Sequence, residues 1–216
     1  MIKLRDILIV CATKSEHKVI TKVFDLEPNY QFDELNITQG SIDYYQIFCV
    51  HTDIGVENAI YCLNKFSHYF KPKIIINFGA AGSINPKIKP GMLVIPNNIV
   101  RVNNSQCTEN IFYQPYFNVE PEIMSVNMGT VDVFFHSKKK KTKLMGESID
   151  TIDCETYAIA KYCVHNMTDY FIFRCISDQA GPFALIQYYW NIRCVLKKGA
   201  KELLNVLNKN NISSQE

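Results

Sequence analysis

Short apolar runs alternate with amphipathic stretches along the whole chain. Ile7 to Ala12 is continuously apolar, the pattern of a strand buried on both faces. Thr13 and Ser15 both suit a helix N-cap, and Val19, Ile20, Val23 and Phe24 follow at helical spacing. Tyr44 to Val50 predicts another strand, Thr52-Asp53-Ile54-Gly55 a turn, and Ala59, Ile60 and Leu63 the inner face of a helix. Lys73 to Asn77 reads as a third buried strand. Gly79, Gly82 and Pro90-Gly91 then punctuate a loop before the strand Met92 to Ile95. Residues 101–125 lack periodicity and read as a long loop. Val126 to Phe135 contains a strand, Lys138 to Lys143 a charged surface turn, Asp153 to Asn166 a helix, and Tyr170 to Ile176 a strand. The closing helix, Asn191 to Leu207, gathers Ile192, Val195, Leu196, Leu203, Leu204 and Leu207 on one face.

Strands separated by helices predict an α/β fold: a single-domain, three-layer αβα sandwich with a mixed, mostly parallel central sheet. The domain is expected over residues 1–208, with 209–216 a polar tail. The 216 residues, 47% of them hydrophobic, suffice for one core and are few for two. Ligands of such sheets bind beyond the carboxyl ends of the strands, which directs attention to the loops after Ala12, Val50, Asn77 and Ile176.

Twenty-three Lys and Arg against 21 Asp and Glu leave a formal charge of +2, no basis for a nucleic-acid or anionic-membrane partner. Five lysines within Lys138–Lys143 read as a solvated turn rather than a polyanion site. No apolar run approaches the ~20 residues of a membrane span, and Lys3, Arg5 and Asp6 interrupt the N-terminal stretch; the expected location is cytoplasmic. The eight cysteines are dispersed, with no Cys-x-x-Cys and no Cys/His pair at ligand spacing, so reduced thiols and no metal are expected.

Three acids stand just past apolar runs, where a site is expected: Glu16, Glu155 and Asp178. Taken singly, each reads equally well as a helix-dipole or capping residue. Their neighbours change that. Ile74-Ile-Ile-Asn-Phe-Gly-Ala-Ala-Gly-Ser-Ile84 with Lys89-Pro-Gly-Met-Leu-Val-Ile95 resembles the central glycine loop and following strand of the nucleoside phosphorylase and nucleosidase superfamily. Asp153-Cys-Glu-Thr-Tyr-Ala-Ile-Ala160 is similar to its E-M-E-A/G-x-A segment, and Arg174-Cys-Ile-Ser-Asp178 to its R-A-I-S-D segment. Ile9 to Glu16 and Asp53-Ile-Gly-Val-Glu-Asn-Ala59 are similar to its N-terminal acid loop and G-I-G-x-x-x-A turn. Among its branches, 5′-methylthioadenosine/S-adenosylhomocysteine nucleosidase and futalosine hydrolase are the most similar.

The resemblance implies N-glycosidic bond cleavage, with a nucleoside as the small-molecule partner and no cofactor. In the matched motifs Asp178 is the general acid toward purine N7, oriented by Ser177, and Glu155 binds the ribose hydroxyls. Glu16 activates water and Arg174 helps to position it. Ile54, Ala80, Ala81, Gly82, Asp153 and Cys154 take substrate-contact positions, Phe134 and Phe135 the purine-stacking segment, and Tyr188 with Tyr189 the 5′ side. Asn77 and Ala80 stand where phosphorylases hold phosphate with Arg and Ser or Thr, and Lys14 is the only cation in the N-terminal loop; this favours water as nucleophile. Gly181-Pro182 and Trp190-Asn-Ile192 are similar to the ending of futalosine hydrolases, so a futalosine-type substrate stays open. Phosphorolysis and a non-catalytic nucleoside-binding role are the remaining alternatives. The chain is short between Ile95 and Val126, where relatives carry a helix. A homodimer is implied, and the aromatic segment Ile111 to Phe117 suits either its interface or a pocket wall.

Overall fold

Alternation of side chains along the first strand divides the core. In β1 (Arg5–Cys11) Ile7, Ile9 and Cys11 face one layer of helices, and Leu8 and Val10 face the other. The computed structural model describes residues 5–29, 35–103, 106–132 and 138–212. The first layer is α1 (Lys14–Val23) and α5 (Ala184–Ile212), which bring Ile20, Ile192, Val195, Leu196, Leu203 and Leu207 onto the sheet. The second is α2 (Val56–Tyr69) and α4 (Thr156–His165), through Ala59, Cys62, Leu63, Phe66, Ile159 and Cys163. Each such aliphatic or aromatic side chain, once fully buried, contributes about 1.5–3 kcal/mol.

Parallel pairs form the heart of the sheet: β4 (Tyr45–His51) with β1, β1 with β5 (Ile74–Ser83), and β5 with β10 (Asp169–Asp178). Beyond β4, β3 (Ile37–Ile42) and β2 (Glu27–Asn29) add antiparallel. On the other side β10 pairs antiparallel with β6 (Leu93–Asn103), β6 and β8 (Met124–Thr130) are parallel, and so are β8 and β9 (Thr151–Asp153). β9 then returns antiparallel to β5, so that β5, β10, β6, β8 and β9 close a ring. The ring brings three strand ends to one point, because Gly82 pairs with Ile152 on one side and with Asp178 on the other. No helix among the described residues is long and apolar enough to cross a membrane. All eight cysteines are free.

Several sequence expectations are corrected. Residues 101–125 are not one loop: β6 continues to Asn103 and β7 (Gln106–Phe112) pairs back along it. β7 is exposed at almost every position, so its ladder leaves no hydrophobic alternation to read. The described residues 106–132 hold no helix, in line with the short spacing read between Ile95 and Val126. Gly79 to Ser83 belong to β5 and not to a loop, since β10 pairs along Gly79 to Gly82 and β9 pairs with Gly82 and Ser83. Lys138–Gly146 forms a helix, α3, instead of a solvated turn; Leu144 is fully buried among Ile84, Ile149, Ile152 and Ala180. Asp153 ends a strand and does not begin a helix. The last helix starts at Ala184 and runs to Ile212, through the start of the expected tail.

Candidate active site

The floor of the site is a charge network. Arg174 of β10 is fully buried, and its Nη2 donates to Asp153 Oδ2, to Asn77 Oδ1 at 2.6 Å and to Thr156 Oγ1 at 2.9 Å. Glu155 Oε2 lies 3.7 Å from the same nitrogen. Asp153 is held in turn by Thr130 Oγ1 at 2.8 Å and the Thr156 N–H at 3.0 Å, the latter closing the first turn of α4. An unpaired buried guanidinium would cost several kcal/mol. Burial alone disfavours the charge of Arg174, but Asp153, Glu155 and Glu16 outweigh it and raise the pKa. Room for the guanidinium comes from Gly79 opposite it: a Cβ there would stand 2.4 Å from Nη1.

Glu16 reaches this network from α1. Thr13, not Ser15, is the N-cap: its Oγ1 accepts the Glu16 N–H at 3.2 Å, and Glu16 Oε2 accepts the Thr13 N–H at 2.9 Å. Glu16 Oε1 accepts the Ala80 N–H at 2.9 Å, which joins α1 to the middle of β5. Burial raises the Glu16 pKa, against the pull of the Ala80 amide and the Arg174 charge.

Glu155 stands between β9 and α4 and accepts the Gly55 N–H at 2.9 Å across the chain. Burial and the neighbouring Asp153 charge push its pKa up to about 8, with Arg174 acting the other way. Asp178 ends β10. Its Oδ2 accepts Ser177 Oγ at 2.8 Å and its Oδ1 the Ala180 N–H at 2.8 Å. Burial raises its pKa as well, against those two hydrogen bonds and the charge of Lys141. Gly82 lies against this carboxyl, and a Cβ there would stand 2.9 Å from Oδ1.

The three carboxyl groups face one cavity of about 750 Å³. Ile54, Ala80, Ala81, Gly82, Asp153, Cys154, Ser177 and Tyr188, all expected from the sequence, line it with them. Arg174 does not line it and acts from beneath through Glu155 and Asp153. Phe134 and Phe135 lie outside the described residues. Thr13, Val131, Ile152, Ala180, Leu185, Ile192 and Arg193 were not anticipated as lining. Helical spacing around Tyr188 carries the signal for Leu185 and Ile192, once α5 begins at Ala184 instead of Asn191. Buried Asn77 serves the floor: its Oδ1 accepts from Arg174 and from Thr156 Oγ1 at 3.1 Å. Among the described residues no group of three His, Cys, Asp or Glu is arranged to hold a metal.

The arrangement of three carboxyl groups on one cavity can donate a proton, accept a proton and stabilise a cation. Comparison with known proteins places it in a family. The Phosphorylase superfamily matches residues 6–127. The 5′-methylthioadenosine/S-adenosylhomocysteine nucleosidase of Buchnera aphidicola subsp. Baizongia pistaciae is 25% identical over 230 residues, covering 92% of this chain and 88% of the relative. That of Geobacillus kaustophilus is 22% identical, covering 79% and 83%. Two Helicobacter pylori structures share the fold at 18% identity: the 5′-methylthioadenosine/S-adenosylhomocysteine nucleosidase with butyl-thio-DADMe-Immucillin-A and futalosine hydrolase. Each has a TM-score of 0.82 and covers 95% of this chain, against 99% and 98% of its own. The chain belongs to the phosphorylase superfamily.

Proposed function

We propose that the protein hydrolyses the N-glycosidic bond of a 5′-substituted purine nucleoside of the methylthioadenosine/S-adenosylhomocysteine type, releasing the free purine and the ribose derivative. The observation that carries this reading is the set of three buried carboxyl groups, Glu16, Glu155 and Asp178, each with a raised pKa, on one cavity. Simple nucleoside binding needs no such set. The relatives named as nucleosidases add support.

In this mechanism Asp178, whose protonated form burial favours, donates to purine N7 as the C–N bond breaks and its electron pair moves into the base. The ribose acquires oxocarbenium character. Glu155 accepts hydrogen bonds from the ribose hydroxyls, and once its proton has passed to solvent its carboxylate places negative charge beside that cation. Glu16 acts in its ionised form, which the Ala80 N–H and the Arg174 charge favour against burial, and takes a proton from water as the water oxygen bonds to the anomeric carbon. The products are a neutral purine and a free sugar, and Asp178 regains its proton from Glu16 through solvent. Water is favoured over phosphate because the Asn77 carbonyl is committed to Arg174 and Thr156, and the Ala80 N–H to Glu16. A buried glutamate beside the attack position would also repel an anion.

Leu185, Tyr188, Tyr189 and Ile192 form an apolar mouth suited to a thioether or aromatic 5′-substituent. Arg193 lines the same mouth, and it favours a second reading in which the 5′-substituent bears a carboxylate, as in a futalosine-type nucleoside. A homodimer belongs to the proposal: Ile54, Leu185 and Tyr189 leave apolar surface exposed at the mouth, and Trp190, next in sequence, is exposed as well, a surface that a second copy would cover.

The test is chromatography of base released from methylthioadenosine, adenosylhomocysteine, futalosine, aminodeoxyfutalosine, inosine and adenosine, with and without phosphate. Phosphate-independent release of adenine from the first two is expected. Release that requires phosphate would replace hydrolysis by phosphorolysis, and no release from any would leave a binding protein.

A further inference from the structure

We infer that Lys141 is a positioning residue for Asp178: its ammonium group clamps together the two strand ends that hold the acid. This rests on the general-acid reading of Asp178 given above. Regular pairing of β5 and β10 breaks at Ser177, where the register shifts before Asp178 meets Gly82. Lys141 Nζ takes over at that break. It donates to the Ser83 carbonyl at 3.2 Å and to the Gln179 carbonyl, the residues directly after Gly82 and Asp178. A side chain from a third element thus bolts the two chains together one residue beyond the acid.

The helix is built to deliver it. Leu144, one turn on, is fully buried beside Ala180 and Ile84, so α3 presents Lys141 and Leu144 on one face toward the strand ends. Lys138, Lys139 and Lys143 of the same run stay exposed, while Lys141 is half-buried. A half-buried ammonium gives up hydration, and burial accordingly lowers its pKa. Two carbonyl oxygens and the nearby carboxyl offset that loss.

Among the described residues, the ionisable side chains that bear on Asp178 are Lys141 of α3 and Tyr188 of α5; Lys89, ahead of β6, acts on Lys141. Lys141 is the cation of this set that opposes the raised pKa of Asp178. Removing its charge therefore moves the Asp178 midpoint upward and keeps the acid protonated to higher pH.

The experiment compares the full chain with Lys141→Met and Lys141→Arg in two ways. Carbon-13 NMR follows the Asp178 carboxyl against pH, its signal assigned with Asp178→Asn. Base release gives kcat and KM from pH 5 to 9. In Lys141→Met the Asp178 midpoint and the alkaline limb of kcat should both rise by about one pH unit, and kcat should fall about tenfold with little change in KM. Lys141→Arg, which keeps the charge, should retain the midpoint of the unaltered chain. An unmoved midpoint in Lys141→Met overturns the inference, whatever happens to kcat. If that variant does not fold, Lys141→Gln, which reaches the carbonyls without charge, provides the same comparison. The NMR titration needs no turnover, so a chain inactive on every nucleoside would remove the proposed function and still decide whether Lys141 sets the state of Asp178.

Discussion

Gly79 and Arg174 face each other across β5 and β10, and the volume a side chain would fill at residue 79 is where the guanidinium lies. A methyl group at Gly79 would stand 2.4 Å from Arg174 Nη1 and 2.8 Å from Glu16 Oε1. Neither neighbour can swing away, because both are buried and hydrogen-bonded. The glycine is needed for the close approach of the guanidinium and the carboxyl group, both of which occupy the space its side chain would fill.

Gly79→Ala should therefore cost about 1–3 kcal/mol of stability and most of the activity together. Urea unfolding and base release measure the two losses. An alanine variant as stable and as active as the parent would show that the floor has slack.

Glu155 ties stability to pH. Folded, it holds its proton up to about pH 8; unfolded, it releases it near 4.5. Between those values the folded state binds the extra proton, so stability falls as pH rises from about 4.5 to about 8. Glu155→Gln keeps an oxygen for the Gly55 N–H and removes this loss. Its melting temperature should exceed that of the parent at pH 8.5 by several degrees, at about 2–4 °C per kcal/mol, and the gap should close near pH 4.5. A gap independent of pH would mean that Glu155 is ionised throughout.

Asp178→Asn should lower kcat by about 10²–10⁴. Adenine binding by calorimetry should survive, since the asparagine Oδ1 can still accept the Ala180 N–H while its Nδ2 donates to Ser177 Oγ. Undiminished turnover would take the general-acid role away from this residue.

Glu16→Gln keeps the helix cap but not the base. An amide nitrogen must then face one of the N–H groups of Thr13 and Ala80, which costs about 1–3 kcal/mol for an unpaired buried donor. Hydrolysis should fall by about 10²-fold or more, read as base released in a fixed time. Retained hydrolysis would assign the water to another group.

Much of the fold was legible because β1, β5 and β10 are buried on both faces and announce themselves as unbroken apolar runs. Their carboxyl-terminal ends led directly to Glu16 and Asp178. Illegible parts have specific causes. β7 is exposed, so its backbone pairing leaves no trace in side-chain polarity. Gly79 and Gly82 look like loop punctuation, yet they serve close approach inside a strand. Lys141 was hidden among four other lysines, because composition does not tell which cation of a run turns inward. Arg174 was expected at the water, but its partners come from two segments far from it in sequence, Asn77 on one and Asp153 with Thr156 on the other, which no local pattern joins to it.

The closed ring of β5, β10, β6, β8 and β9 bears on how readily the substrate range can drift. A ring has no free edge at which strands can slide apart, so the end of the cavity at Gly82, Ile152 and Asp178 is fixed in width. Ile54 lies on a turn, and Leu185, Tyr189 and Arg193 lie on the first turns of a helix, outside the ring. Substitutions there alter the mouth without disturbing a strand pairing. The molecule thus couples an unyielding end of the cavity at Asp178 to a mouth that point mutations can reshape, and on the proposed reading new specificities should arise at the 5′ side of the nucleoside long before they arise at the base.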